Sequence, residues 1–388
     1  MHELDIQKLI SIKHDRNLFD YRKMKYKYGA SFDALLEMLR EDPFIVLPIL
    51  DKDGKNLLVS QPVSISTEAY LSPSGRDMRT GVDMTENEIL NTCRIEDIPV
   101  SKADVSNIVA GIVPERMEEK TAKGMKLGRD FIKQPENEIT EENIYRLYMM
   151  SIGDALREDL RPGKGSYYRN DSVVVQDMST GKIDHAGMNH LLVSEAMRRL
   201  VEFINDDSDG IDYLVKGAAI HFYIAYVHPY FDGNGRMARL IHLWYLYRVG
   251  FKGIFSIPFS QYIHEAKNEY YKAFISCEEN RRIAGFLDIY PFLYFFSHRV
   301  YARFGHGNPA NGDYRIFFAT GQVTQKEDEL WKYINEHFRE EAFSTKQLEK
   351  RYGKAAYRTI RSFVGKFEKE GLLEKINYSS RPKYRLAE

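Results

Sequence analysis

Residues 228–239 read HPYFDGNGRMAR, and they join two stretches that are apolar almost all round. DYLVKGAAIHFYIAYV (212–227) precedes them, with Lys216 as its main interruption, and RMARLIHLWYLYRVG (236–250) carries the chain onward. A helix that is apolar on every side belongs in the middle of a bundle. The two stretches therefore predict a mainly α fold, with the quoted loop joining its two buried helices. Pro229 forces the chain out of the first helix, and Gly250 is placed to close the second.

The loop itself is dense in chemistry. His228 ends a packed helix, and an imidazole titrating near neutrality can take a proton from a hydroxyl. Asp232 is a hard oxygen ligand of the kind Mg²⁺ uses together with substrate phosphates. Gly233, Asn234 and Gly235 let backbone N–H groups converge with few side chains in the way, and the helix beginning near Arg236 adds the positive end of its dipole. Arg236 and Arg239 lie three residues apart on its first turn and can face one anion. Cations are unfavourable at a helix N-terminus unless something negative is bound there. A polyphosphate with an adjacent general base satisfies all of these features. The loop is neither a GxxxxGK[ST] phosphate loop nor an HExxH zinc motif.

Farther out, the sequence reads as an ordinary soluble chain. Its 388 residues suggest two or three domains. With 55 Lys and Arg against 56 Asp and Glu, no global field draws it to nucleic acid or an acidic membrane. The two cysteines, Cys93 and Cys277, have no CxxC spacing, which argues against a disulfide framework or a thiolate zinc site and fits a reducing compartment. No signal-peptide core and no membrane-spanning run is present, so a cytoplasmic protein is expected. SFDALLEMLRED reads as an amphipathic helix, PFIVLPIL and NLLVS as short strands, and YLSPSGRDMRTGVD as a loop. TENEILNTCRIEDI reads as a helix capped at Thr85, and ITEENIYRLYMMSIGDALRE as one capped at Thr140. Between the helices, 166–185 carries a β-hairpin signal: glycines, the run Ser172-Val173-Val174-Val175, a turn, then Lys182-Ile183-Asp184.

HPYFDGNGRMAR closely resembles the Fic motif, HPFxDGNGRxxR, with Tyr230 where phenylalanine is usual. The resemblance covers roughly 86–290. It implies a Fic-type helical bundle with a β-hairpin flap, and an enzyme that transfers AMP from ATP to a hydroxyl side chain (Ser, Thr or Tyr) of a target protein. It implies His228 as the base and Asp232 as the Mg²⁺ ligand. Gly233, Asn234 and Gly235 would form the phosphate cradle, with Arg236 and Arg239 on the β- and γ-phosphates. RPGKGSYYRNDSVVV is similar to the stretch that leads into the flap, so Val173, Val174 and Val175 would dock the target by strand addition. YIHEAKNEYYKAF resembles the segment near the adenosine. Tyr270 and Tyr271 match it, while Ala266-Lys267 replace the usual Asn-Arg. Upstream, NTCRIEDI resembles the inhibitory helix [S/T]xxxE[G/N], with Thr92 and Glu96 in register and Asp97 where Gly or Asn is usual. Glu96 would then claim Arg239 ahead of the γ-phosphate.

The domain reading is therefore 1–85 of unassigned role, 86–304 catalytic with its inhibitory helix near 88–97 and flap near 166–185, a linker at 305–314, and 315–388 as a small terminal domain. Three helices followed by a ribbon in LLEKINYSSRPKYRLAE suggest a winged helix. Its third helix (355–370) carries Arg358, Arg361, Lys366 and Lys369, and its ribbon carries Lys375, Arg381, Lys383 and Arg385. DNA or a protein partner would suit that surplus. Other readings stay open at this level: a DNA-binding regulator with a nucleotide-sensing fold, a transferase of another phosphate-containing group, or an enzyme that removes AMP. The presence of Gly235 favours the AMP reading, because the α-phosphate then has room. A homodimer is left open, and no membrane partner is expected.

Overall fold

The computed structural model describes residues 11–13, 15, 17–63, 82–176, 183–304, 323–338, 341–369, 372–376 and 382–386. The expected loop from Tyr70 to residue 81, the hairpin tip at 177–182, the linker at 305–314 and Arg381 lie outside them. In chain order the elements are α1 (Tyr21–Tyr28), α2 (Ala30–Glu41), β1 (Ile45–Leu50), β2 (Asn56–Val59), α3 (Val82–Ile95), α4 (Lys102–Val109), α5 (Met117–Ile132) and α6 (Glu141–Ser151). Then come β3 (Val174–Gln176), β4 (Ile183–Ala186), α7 (His190–Asn205), α8 (Tyr213–Val227), α9 (Asn234–Arg248), α10 (Phe259–Glu265), α11 (Lys267–Ala284) and α12 (Tyr290–Phe295). The chain ends with α13 (Gln325–His337), α14 (Thr345–Tyr352), α15 (Tyr357–Lys369), β5 (Leu373–Lys375) and β6 (Tyr384–Leu386). The sheets described are three antiparallel pairs, β1–β2, β3–β4 and β5–β6. Among the described residues, no helix is long and apolar enough to cross a membrane.

The chain divides into two compact units, 1–297 and 298–388. In the first, α8 and α9 are the central pair, and nearly every residue of both is buried. Their lack of a polar face is what sends them inside. The one cation within α8, Lys216, is buried but paired with Asp209 at 2.6 Å. Asp212 caps α8 by accepting from the amides of Leu214 and Val215. The N-terminal residues belong to this same unit. The turn after β1 docks on α8, with the Tyr223 hydroxyl donating to Leu50 O and the Lys52 amide to the Tyr226 hydroxyl. β2 is tied to residues 287–289 by Leu58 N–Leu287 O and Ile289 N–Leu58 O bonds.

Thr140 caps α6 through the Asn143 amide at 3.1 Å. Thr85 does not cap α3, which begins three residues earlier at Val82; a threonine within a first turn is tolerated, and packing of α3 on α10 and α5 carries the helix past the local signal. At its other end, α3 closes in a Schellman motif. The Ile98 amide donates to Cys93 O and the Asp97 amide to Arg94 O, with Asp97 left-handed at φ +54°.

The second unit has its own core, built from Trp331 and Ile334 of α13, Leu348 of α14, Phe363 and Phe367 of α15, and Leu373 and Tyr384 of the ribbon. Arg358, Arg361 and Lys369 are exposed on the face of α15 opposite that core. Lys366 is held by Glu327 and Arg385 by Glu374.

Candidate active site

The loop 228–239 leaves α8 abruptly. His228 is the C-cap of that helix with φ +55°, a left-handed backbone that costs a residue with a β-carbon roughly 1–2 kcal/mol. Such an outlier persists only when its surroundings impose it. Here Pro229 bars continuation of the helix, and Arg169 grips the turn. Arg169 Nε donates to His228 O at 2.7 Å, and the Arg169 amide donates to Pro229 O. The imidazole Nδ1 lies 3.3 Å from Ala225 O. A carbonyl only accepts, so Nδ1 carries the proton in this geometry and the ring's basic lone pair is on Nε2.

The turn after His228 is fixed from both sides. Tyr230 stacks face to face on Tyr148 of α6, with centroids 3.6 Å apart and planes 4° apart. The Tyr148 hydroxyl donates to Asp232 O. Asn234 is buried and bridges the turn, accepting from Tyr230 N at 2.9 Å and donating to Tyr230 O at 2.8 Å. Its side chain therefore holds the loop's shape, and only its backbone is left for a ligand. Gly233, left-handed at φ +82°, caps α9, and a β-carbon there would press into Ile152.

Each of the two arginines at the head of α9 is engaged by an internal carboxylate. Arg236 Nη2 meets Asp232 Oδ2 at 3.2 Å, while Asp232 Oδ1 accepts from the Gly233 amide. Arg239 is buried; its Nε donates to Thr92 Oγ1 at 2.7 Å, and its Nη2 donates to Glu96 Oε1 at 2.6 Å. Burial alone would push the Glu96 carboxyl up. The Arg239 guanidinium, helped by Arg236 and Lys267, overcomes burial and holds it below the usual carboxylate range. In turn Glu96 keeps Arg239 firmly protonated against its own burial. A β-carbon on Gly235 would overlap Glu96 Oε1, so the carboxylate lies directly over that glycine.

α3 is anchored one turn before Thr92. Glu88 is buried and accepts the Ser260 amide of α10, at 2.9 Å to one oxygen. Burial raises its pKa in spite of Arg129 nearby. Beyond Glu96, Asp97 pairs with Lys267 at 2.7 Å, so two of the positions that depart from the resembling motifs meet each other. Of the two tyrosines matched to the adenosine segment, Tyr270 turns inward and pairs with His221 Nε2 at 3.0 Å. Tyr271 donates to Ile95 O at the end of α3. Val174 of the hairpin is half exposed. β3 and β4 pair Val174 with Ala186 and Val175 with His185.

The loop, Thr92, Glu96, Tyr271 and, through Arg169 Nη1 to Asp171 O and Met188 N to Val227 O, the base of the hairpin are thus linked by a few direct contacts. Sequence reasoning missed Arg169 as a functional residue. It lies in RPGKGSYYRNDSVVV, but nothing local marks which carbonyls it will reach. Among the described residues no group of three or more His, Cys, Asp or Glu stands ready to hold a metal. A divalent ion at Asp232 would take its remaining ligands from substrate oxygens and water, as Mg²⁺ commonly does.

Residues 138–246 match the model of the Fic/DOC family. Two curated proteins are similar to parts of the chain. Protein adenylyltransferase fic-1 of Caenorhabditis briggsae is 27% identical over 168 residues, which is 43% of this chain and 28% of that protein. Its counterpart of the same name in Caenorhabditis elegans is 32% identical over 102 residues, 26% of this chain and 18% of that protein. The matched stretch spans less than a third of either relative. Among solved structures, a Fic family protein from Desulfovibrio desulfuricans G20 superimposes with a TM-score of 0.49 at 17% identity, over 84% of this chain and 98% of that one.

Proposed function

We propose that this chain, which carries a Fic/DOC domain over residues 138–246, transfers AMP from ATP to a hydroxyl side chain of a target protein and is held back by its own Glu96. The observation that carries the reading is the Glu96 carboxylate, bonded to Arg239 at 2.6 Å and lying over Gly235. An internal anion there supports an anionic ligand at the same place. The two curated relatives bear the name protein adenylyltransferase, which supports AMP as the group moved.

In this reading His228 Nε2 takes the proton from the target hydroxyl. The hydroxyl oxygen attacks the α-phosphorus, and pyrophosphate leaves. Gly233 and Gly235 leave room for phosphate oxygens at the head of α9, where the helix dipole favours negative charge. Arg236 and Arg239 hold the β- and γ-phosphates once their carboxylates release them. Asp232 fits Mg²⁺, because a single half-exposed carboxylate can share the ion with phosphate oxygens. When bound, the ion would neutralise phosphate charge. The hairpin 173–186 would hold the target segment as an added strand along Val173, Val174 and Val175.

Triphosphate binding requires the Glu96–Arg239 contact to open. A hydrogen bond to a charged group contributes about 1.5–3 kcal/mol, or roughly ten- to a hundredfold in the competent population. The test follows label from α-³²P-ATP and γ-³²P-ATP into a lysate. Glu96→Gly should label targets about 10- to 100-fold faster than wild type, from the α position only. His228→Ala should lose roughly 10²–10⁴-fold while still binding ATP. Label from the γ position alone would replace AMP transfer by phosphotransfer. An unchanged rate for Glu96→Gly would remove the inhibitory role and leave the loop chemistry standing.

A further inference from the structure

Arg169 is buried and makes no ion pair among the described residues. Its guanidinium serves backbone carbonyls instead. Nε donates to His228 O, Nη1 to Asp171 O, and Nη2 to Met188 O and, at 3.4 Å, Val227 O. Asp171 and Met188 flank the two strands of the hairpin, whereas Val227 and His228 end α8. One side chain therefore closes both structures at once. A second contact runs beside it: the Gly187 amide donates to Val173 O, and the Met188 amide to Val227 O. Gly187 is the point where all three parts converge. A β-carbon there would lie 2.7 Å from Val173 Cγ1, 3.0 Å from Arg169 Nη2 and 3.2 Å from His228 Cβ.

We propose that Arg169 and Gly187 are positioning residues that couple the hairpin to His228, so that a strand seated on the hairpin and the base that would deprotonate it are held by one hydrogen-bonded unit. The inference rests on the reading of the hairpin as the target-docking element. Its physical content is local. The last carbonyls of a helix have no intrahelical partner, and a guanidinium meets them well. An arginine fork reaches several carbonyls in fixed directions, which a lysine point charge cannot do. The left-handed His228 backbone needs such a restraint, and Arg169 draws it from the hairpin. A displacement of the hairpin then moves the His228 carbonyl, and with it the ring.

The experiment uses the full chain with Arg169→Lys and Gly187→Ala, read in three ways: AMP transfer, ATP affinity and ¹⁵N NMR of the histidine rings. Misplacing a reacting group by about 1 Å costs on the order of 10²-fold. Arg169→Lys should therefore lower kcat for target modification by about that factor, with ATP affinity kept and the His228 tautomer or titration midpoint changed. Gly187→Ala should change the same readouts in the same direction, because a β-carbon 2.7 Å from Val173 Cγ1 forces the hairpin strand to shift against Arg169 and His228. It also serves if Arg169→Lys fails to fold. Lower thermal stability with kcat and the His228 signals unchanged would make Arg169 a helix cap alone and overturn the coupling. If the wild-type chain transfers no AMP, the proposed function fails, but the His228 spectrum still decides the coupling: altered signals in Gly187→Ala uphold it, and unaltered ones overturn it.

Discussion

Tyr230 occupies the motif position where phenylalanine is usual, and the extra oxygen has a consequence. Its ring stacks on Tyr148 as a phenyl would, but its hydroxyl is buried and meets no hydrogen-bond partner among the described residues. Burial also drives the phenol's pKa far up, so it stays neutral. An unsatisfied buried polar group costs about 1–3 kcal/mol. Tyr230→Phe should thus raise stability by about 1 kcal/mol or more, seen as a higher denaturation midpoint at constant m value. A drop in the midpoint would mean that the hydroxyl has found a partner. At this scale the sequence is highly legible, because the loop's residue types and spacing are local. Asn234 is the exception: the two bonds that commit its side chain to Tyr230 follow from the turn's shape.

At the scale of elements, the ends of two helices deserve comparison. α9 closes in the same motif as α3, with Gly250 at φ +100° and the Phe251 amide bonded to Leu246 O. Glycine takes that conformation freely, whereas Asp97 takes it at a cost. That gives a physical reason for the small residue or asparagine in the motif that the Asp97 segment resembles. Lys267 offsets part of the cost through a 2.7 Å pair, although the Asp97 side chain is 85% exposed. An exposed pair is worth only about 0.2–1 kcal/mol. Asp97→Asn keeps a residue that tolerates the left-handed region and loses the pair. The Ile98 amide, bonded to Cys93 O, should then exchange about 1.5- to 5-fold faster. Asp97→Gly loses the pair but also the backbone cost, so its exchange should be no faster than wild type. Hydrogen exchange by mass spectrometry over 93–100 reads both. Faster exchange in the glycine variant than in the asparagine variant would contradict the left-handed account.

At the scale of the whole molecule, the α8–α9 contact sets a pH limit. His221 and His242 face each other across it, Nδ1 to Nδ1 at 3.4 Å, beside Tyr270 and near Arg239. Burial drives both pKa values down, that of His242 to about 3. The folded state therefore refuses protons that the unfolded chain accepts below its ordinary histidine pKa of about 6.5. Stability should be full above that value and fall as pH drops toward 3, by up to about 1.4 kcal/mol per pH unit for each histidine. Thermal unfolding between pH 7 and 5 should show this loss, and His242→Gln should reduce its slope by about half. An equal slope in the variant would mean that His242 is not held neutral. The sequence by itself determined the two buried helices, the sharp exit at Pro229 and the charge-rich loop, because apolar periodicity and turn chemistry are local. The Glu96–Arg239 contact, 143 residues apart, was reachable only through resemblance. The Arg169–His228 contact, 59 residues apart, and the pairing of Asp97 with Lys267 were decided by tertiary structure alone. A donor takes whichever carbonyl or carboxylate packing brings within about 3 Å, and spacing along the chain does not specify that distance.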